Sequence, residues 1–455
     1  MSFRRILIAN RGEIACRVIR TCNLMGIETV LAVSEADKNS LPAILADQIV
    51  IIGPASATSS YLDISNIING ALTAKVDAIH PGYGFLSENA EFALACKENN
   101  IKFIGPSTTV LNSVGDKLQA RSIAIQAGLP VVPGGDAADI KTSEEVAAKI
   151  GFPLLVKAVG GGGGRGMKLV TRQEDLLNSI ELAKAEADAA FADARVYLER
   201  YVTNGRHIEV QVVGDGKSYI HLGDRDCSIQ RRYQKLFEEA PAPHLPEKIR
   251  NELHASAIKL ASFLEYEGLG TVEFLYDGNR EEFYFLEMNA RIQVEHPVTE
   301  MITGVDLVME QIRIAEGLPL SLKQEDIVFQ GHAIECRINA ENWRNDFLPN
   351  PGMISKFKVP VGTGIRVDTH VQSGSTISPY YDSLVAKIIT HGGDRQDAME
   401  KMHLALKVFT IEGVDTTKSL HQLLVRDKDV QAGGMDTGFF NGFFAQHSQK
   451  GDLRG

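Results

Sequence analysis

Apolar and polar positions follow two different rhythms along this chain. Over the first 114 residues, short apolar runs at Ile6–Ala9, Thr29–Val33, Gln48–Ile52, Val76–Ile79 and Lys102–Ile104 read as buried strands. Between them, Glu13–Met25 carries Ile14, Val18, Ile19 and Leu24 at helical spacing, and Leu62–Leu72 and Ala90–Glu98 also read as helices. Strands alternating with helices predict a doubly wound parallel sheet, which binds ligands beyond the carboxyl ends of its strands. Two Gly-bearing turns fall there, Asn10-Arg-Gly-Glu13 and His80-Pro-Gly-Tyr-Gly-Phe-Leu-Ser-Glu88. Service in tight turns explains their glycines equally well.

The Gly128–Gly135 segment, with two prolines and three glycines, reads as a hinge. A small unit follows it. Pro153–Val159 and Met167–Thr171 are predicted strands around the loop Gly160–Gly166, then Glu174–Ala190 is a helix and Val196–Val202 a strand. The loop formally contains Gly161-x-Gly163-x-x-Gly166, but a strand follows it where a dinucleotide fingerprint needs a helix. No Gly-Lys-Ser/Thr closes it as a Walker loop. Without Cβ atoms its amides can fold over phosphates, and Lys157 and Arg165 add positive charge.

Later segments keep a period of two. In Arg206–Val213, His207, Glu209 and Gln211 share one face; a histidine there is ordinarily solvated. Asp224–Lys235 crowds Arg225, Arg231, Arg232 and Lys235 together, which suits a small anion or an external salt-bridge patch. Pro246–Tyr266 reads as a helix, Gly270–Tyr276 and Phe283–Leu286 as a strand hairpin, Gly331–Ala340 and Leu384–Thr390 as strands, and Arg395–Phe409 as a helix. If the extended form persists beyond Leu286, then Glu287, Asn289, Arg291, Gln293 and Glu295 line one side, with Leu286, Met288 and Ile292 behind. A hairpin would bring Glu273 beside Glu287 and Asn289. Carboxylate and amide oxygens around one point suit Mg²⁺, and the neighbouring Arg suits an anion. The tail beyond Gly433 reads as loosely held.

Composition narrows the class. The 455 residues suggest about three domains of roughly 150 residues. With 44% hydrophobic and 23% charged residues the chain reads as a soluble globular protein. The net charge of −11 argues against nucleic acid, and no apolar run approaches a membrane span. The apolar run after Arg5 is too short for a signal-peptide core. Five scattered cysteines without Cys-x-x-Cys imply free thiols in a reducing cytoplasm.

Together the glycine hairpin with Lys157, the Glu273/Glu287/Asn289 set and Glu287-Met-Asn-Ala-Arg-Ile-Gln-Val-Glu-His-Pro297 resemble the ATP-grasp biotin carboxylases, the subunit type of acetyl-CoA carboxylase. The similarity spans essentially the whole chain. It implies an α/β and α+β architecture: an N-terminal doubly wound parallel sheet (1–114), an ATP-grasp core (115–330) with a mobile Gly-rich lid (about 132–203), and a C-terminal α+β domain (331–446). It also implies a homodimer, a separate biotin carboxyl carrier protein, carboxyltransferase subunits and a place in fatty acid synthesis.

By that resemblance Lys117, Lys157, Gly163, Gly164, Glu199, Arg200, Tyr201, Val202, His207 and Tyr233 would hold ATP. Glu273, Glu287 and Asn289 would hold two Mg²⁺ or Mn²⁺ ions. Lys235, Arg291, Gln293 and Val294 would hold bicarbonate, Glu295 would be the base and Arg337 would face biotin. Two positions depart from the family pattern: Tyr233 replaces a histidine near the nucleotide, and Arg200 a lysine. Two other readings compete. One is an ATP-grasp ligase joining a carboxylate to an amine; the other is a nucleotide-binding subunit without catalysis. The final carboxyl acceptor, whether acetyl-CoA, propionyl-CoA or pyruvate, is not legible.

Overall fold

The computed structural model describes residues 2–159 and 167–448. The glycine loop, with Gly163, Gly164 and Arg165, lies outside the described residues. The chain opens with β1 (Arg5–Ile8), β2 (Glu28–Ser34), β3 (Gln48–Gly53), β4 (Ala78–His80) and β5 (Lys102–Phe103), paired in parallel in the order β3-β2-β1-β4-β5. The crossover helices begin and end on local chemistry. Asp63 caps Ile64–Ala74 by accepting from the Asn66 amide, and Asn89 caps Ala90–Glu98 through Phe92. The first of these starts two residues later than apolar spacing suggested, because the cap and not the first leucine sets the boundary.

Next comes a four-stranded sheet, order β6-β9-β7-β8, from β6 (Gly134–Asp136), β7 (Leu154–Ala158), β8 (Met167–Val170) and β9 (Val196–Arg200). Two helices, Ile140–Ile150 and Leu176–Phe191, pack on it around a core of its own, including Leu154, Val156, Val170, Ile180 and Leu198. The Gly134-Gly135 pair does more than bend a linker. A Cβ on Gly134 would sit 2.3 Å from the Leu198 carbonyl oxygen, and one on Gly135 2.8 Å from Val146, so glycine lets β6 lie against β9 and under the helix Ile140–Ile150.

The floor of the molecule is an eight-stranded antiparallel sheet. Its order is β14 (Glu282–Asn289), β13 (Glu267–Asp277), β10 (Gly205–Asp215), β11 (Tyr219–Arg231), β12 (Gln234–Ala240), β15 (His332–Asn339), then strands Leu384–Gly392 and Ile365–Thr369. Strands from both sides of residue 330 thus share one sheet through the β12–β15 pairing. The N-terminal sheet packs against this floor through Ile208, Val210 and Val272 on one side and Val213, Leu222 and Leu269 on the other.

Three expectations change. Asp224–Lys235 is the β11–β12 hairpin, with Arg232 and Tyr233 at its turn, both at positive φ (48° and 67°), and its four cations turn to different partners instead of forming one cluster. The extended run after Leu286 stops at Asn289, and a helix begins at His296. The tail is ordered to Ser448: helix Phe439–Ser448 buries Phe440 and Phe443 in the C-terminal core. Phenylalanines spaced three and four apart carried that signal.

Candidate active site

One cavity of about 1050 Å³ runs between the small unit, the floor sheet and the N-terminal turns. It is lined by Lys117, Lys157, Glu199, Arg200, Tyr201, Val202, His207, Tyr233, Lys235, Glu273, Glu287, Asn289, Arg291, Gln293, Val294, Glu295 and Arg337. Every site residue expected from sequence within the described residues therefore reaches the same space.

The centre is Lys235 on β12. Its ammonium donates to Glu209 at 2.6 Å, Glu273 at 2.9 Å and Glu295 at 2.6 Å. Against burial, which would lower it, these carboxylates hold the lysine well above its ordinary range. Behind it sits Arg225, fully buried, donating to Glu209, Gln211, Thr271, Thr299 and Gln293. Its hydrogen-bonding capacity is spent on protein, so it braces the site and binds no anion. Arg231 and Arg232 turn to Asp346 instead. Of the four clustered cations, Lys235 and Arg225 serve the central carboxylates, and Lys235 reaches all three.

Glu295 is pinned on both oxygens, by Lys235 on one and by Arg337 at 2.8 Å on the other. Burial would raise its pKa, but Lys235, Arg337 and Arg225 hold it well below the usual carboxylate range. Arg337 also donates to Glu238 at 2.5 Å. Arg291 donates to Glu88 at 2.8 Å, and Glu88 accepts the Ala290 amide at 2.9 Å. That two-point grip lies where the chain leaves β14, so Gln293 and Glu295 reach the site from a turn and not from a strand face. Gln293 donates to Glu273 at 2.8 Å, and Val294 presents its carbonyl to Lys387 at 2.6 Å.

The strand parity is corrected by a bulge. Glu273 pairs with Glu287, but Phe274 pairs with Phe285, so Leu286 is an extra residue. Phe283 and Phe285 before it, and Met288 and Ala290 after it, all enter one core. Leu286 does not join that apolar back; it lines the cavity with Leu275.

Glu273 and Glu287 face each other across the β13–β14 ladder. Glu273 accepts from Asn289 at 2.9 Å and lies 3.0 Å from His207. Burial and then Glu273 push the Glu287 carboxyl up, and its nearest cation, Lys117, is 4.0 Å away. Two opposed carboxylates, one poorly compensated, fit a divalent cation; the Asn289 amide turns its NH2 to Glu273 and its oxygen to Arg291 at 2.8 Å, and would have to turn over to join them. His207, Glu209 and Glu273 also bring ligand atoms within 4.8 Å of one another, but Lys235 already holds two of them. His207 is buried, not solvated; Gln230 meets its Nδ1 at 2.9 Å.

At the other end Lys157 donates to Glu199 at 2.8 Å, and this ion pair raises the lysine against burial. Arg121 reaches the same carboxylate at 3.4 Å and the Val132 carbonyl at 2.6 Å. Tyr233 stands on its strained turn at the cavity's edge. Sequence reasoning did not assign roles to Arg121, Glu88 or Glu209, and placed Arg225 only within the cation cluster. The parity of Glu209 with His207 was the one available hint.

Comparison with known proteins agrees with this geometry. Residues 116–323 match the ATP-binding domain of the carbamoyl-phosphate synthase L chain, so the core is an ATP-binding enzyme module. Residues 2–111 and 335–442 match the N-terminal and C-terminal domains of biotin carboxylase. The chain is 49% identical over 439 residues to biotin carboxylase 1 of Bacillus subtilis, covering 96% of this chain and 98% of that one. It is 48% identical to a pyruvate carboxylase subunit of Methanothermobacter thermautotrophicus over 96% of this chain and 89% of that one. The biotin carboxylase domain dimer of Hydrogenobacter thermophilus 2-oxoglutarate carboxylase, solved with MgADP, ADP and bicarbonate, superposes with a TM-score of 0.93 at 45% identity, covering 98% and 99% of the two chains. The chain belongs to the biotin carboxylase family, ATP-dependent ligases that carboxylate biotin.

Proposed function

We propose that this chain is the biotin carboxylase subunit of an acetyl-CoA carboxylase, acting on biotin carried by a separate carrier protein and supplying carboxyl groups to fatty acid synthesis. Its relatives serve different acceptors, pyruvate and 2-oxoglutarate among them, so a propionyl-CoA, pyruvate or other acid carboxylase is the second reading. Residues 1–114, 115–330 and 331–446 form the three domains, and a homodimer in the cytoplasm is the working state. No helix among the described residues is long and apolar enough to cross a membrane.

The observation that carries the site reading is Glu295, a buried carboxylate held ionised between Lys235 and Arg337. Lys117, Lys157, Glu199, Arg200, Tyr201, Val202, His207 and Tyr233, with Gly163 and Gly164, hold ATP. Glu273, Glu287 and Asn289 hold two Mg²⁺ or Mn²⁺ ions, whose charge offsets that of the phosphoryl oxygens. Lys235, Arg291, Gln293 and Val294 hold bicarbonate. Glu295 removes the bicarbonate proton, and the freed oxygen attacks the γ-phosphorus as the bond to the β-phosphoryl oxygen breaks. ADP leaves, and carboxyphosphate splits into CO₂ and phosphate. That phosphate takes the ureido N–H proton of biotin, Arg337 stabilises the resulting oxyanion, and the ureido nitrogen attacks CO₂.

The test is ADP release from the full chain with free biotin, with and without bicarbonate. Stimulation by bicarbonate supports the reading. Stimulation by an amine or amino acid instead identifies a carboxylate–amine ligase, and nucleotide binding with no ADP release identifies a chain without catalysis. Acetyl-CoA, propionyl-CoA and pyruvate, offered with the carrier and carboxyltransferase, then separate the acceptors.

A further inference from the structure

Behind Arg337 the floor sheet hides a second pair of carboxyls. Glu238 on β12 and Glu335 on β15 are direct register partners, and both side chains are fully buried. Opposed residues on neighbouring antiparallel strands place their Cβ atoms about 5 Å apart on the same face, close enough for two glutamates to meet. Glu238 gives one oxygen to Arg337. Its other oxygen, and both oxygens of Glu335, have no hydrogen-bond partner among the described residues.

The surrounding charges are committed elsewhere. Arg337, two residues along the same strand face, is taken by Glu238 and Glu295. Lys387, the register partner of Arg337, donates to the Val294 carbonyl and lies 3.0 Å from Glu13. Lys235 is shared by Glu209, Glu273 and Glu295. The helix His296–Thr303 packs over this face and brings His296, which burial keeps far below its usual pKa, and Glu300, held by Arg17 and Arg366. The thiols of Cys227 and Cys336 are buried and pushed well up. Lys387 and Arg337 pull on Glu335 only through space and no cation among the described residues donates to it, and two adjacent buried carboxylates cannot both ionise.

We propose that Glu238 and Glu335 share one proton, carried on Glu335 and donated to the free oxygen of Glu238, and that this neutral carboxyl is a positioning residue for Arg337. This role rests on the reading of Arg337 as the biotin-facing residue. Kept neutral, Glu335 does not compete for the guanidinium, which stays directed at Glu295 and the ureido oxygen. Ionised, it would draw Arg337 back along the strand. Burial pushes both carboxyls up, Glu238 to about 7 with Arg337 pulling against it, and Glu335 well above the usual range. The proton belongs on Glu335 because Glu238 alone has the arginine. As in other coupled pairs, the measured titration belongs to the two together.

Two measurements on the full-length protein decide it. In infrared difference spectra at about pH 7, wild type should show the carbonyl stretch of a protonated carboxyl that Glu335→Gln lacks. A wild-type spectrum without such a band, or a band that persists in the variant, overturns the proposal; the first outcome needs no variant. In wild type, biotin carboxylation should fall at alkaline pH by roughly ten-fold per unit above the pair's titration, while bicarbonate-dependent ADP release does not follow it. Glu335→Gln should abolish that divergence; an unchanged divergence in the variant overturns the positioning role. If Arg337→Ala damages both half-reactions equally, the assignment of Arg337 fails, while the infrared result still reports on the proton alone.

Discussion

Arg337 donates through Nη2 to Oε2 of Glu295 at 2.8 Å, joining the residue assigned to biotin with the residue assigned to bicarbonate. The carboxylate therefore senses both half-reactions. Glu295→Gln keeps the shape and one of the two hydrogen bonds, from Lys235 or from Arg337, but cannot accept a proton. It should lower bicarbonate-dependent ADP release by about 10²–10⁴-fold while nucleotide binding, measured by calorimetry, stays within about two-fold. Unchanged turnover would remove Glu295 from the role of base.

Arg337→Ala should separate the two halves. Biotin carboxylation should fall by about 10²-fold or more, the range for losing one donor to a developing oxyanion, with a smaller loss in bicarbonate-dependent ADP release. Parallel assays of carboxybiotin and ADP check it, and equal losses would place Arg337 in the first half-reaction.

Lys235 balances three carboxylates, so its neutral variant should be costly even before chemistry is considered. Lys235→Met leaves Glu209, Glu273 and Glu295 facing one another at a buried site. The expected destabilisation is about 3–5 kcal/mol, read as a lower urea midpoint. Magnesium should recover part of it, since a divalent cation offers positive charge to the same oxygens. A midpoint equal to wild type would show that the three acids are compensated by other means.

His80 supplies a pH dependence away from the metal ligands. It is fully buried at the end of β4, its Nδ1 accepts the Gly82 amide, and burial lowers its pKa from 6.5 to about 4. The unfolded chain therefore binds the proton more readily than the folded one. Stability from this group is complete above about pH 6.5, declines as pH falls, and levels off below about pH 4, a total of roughly 3 kcal/mol. Urea midpoints measured across that window should show the slope, and His80→Asn should flatten it. A slope retained in the variant would assign it to other groups.

Much of this was legible in the chain because the relevant side chains are chemically unusual for their surroundings. Lys157, Glu273, Glu287 and Arg337 stand on strands whose alternation is plain, and the structure delivers them to one cavity. What periodicity could not deliver was phase and departure. Nothing in Phe285-Leu-Glu announces that Leu286 is supernumerary, because either neighbour could serve as the apolar partner. Nor does the stretch Arg291–Glu295 show that Glu88, some two hundred residues earlier, will grip Ala290 and Arg291 and end the strand. Arg225 looked like part of a surface cluster because its five acceptors come from β10, β13 and two segments after Ala290. Only tertiary structure gathers them.

Leu286 acts on β14 as a frameshift acts on a reading frame. Upstream of it the odd-numbered residues belong to the core; downstream the even-numbered ones do. Removing that one residue would restore an unbroken alternation: Phe285, Met288 and Ala290 would stay in the core and Glu287 and Asn289 at the cavity, with only the bulge and the place of Leu286 in the lining lost. The stretch should therefore accept many substitutions at Leu286 and even its loss, whereas deleting Met288 would exchange the faces of the residues on one side of the gap.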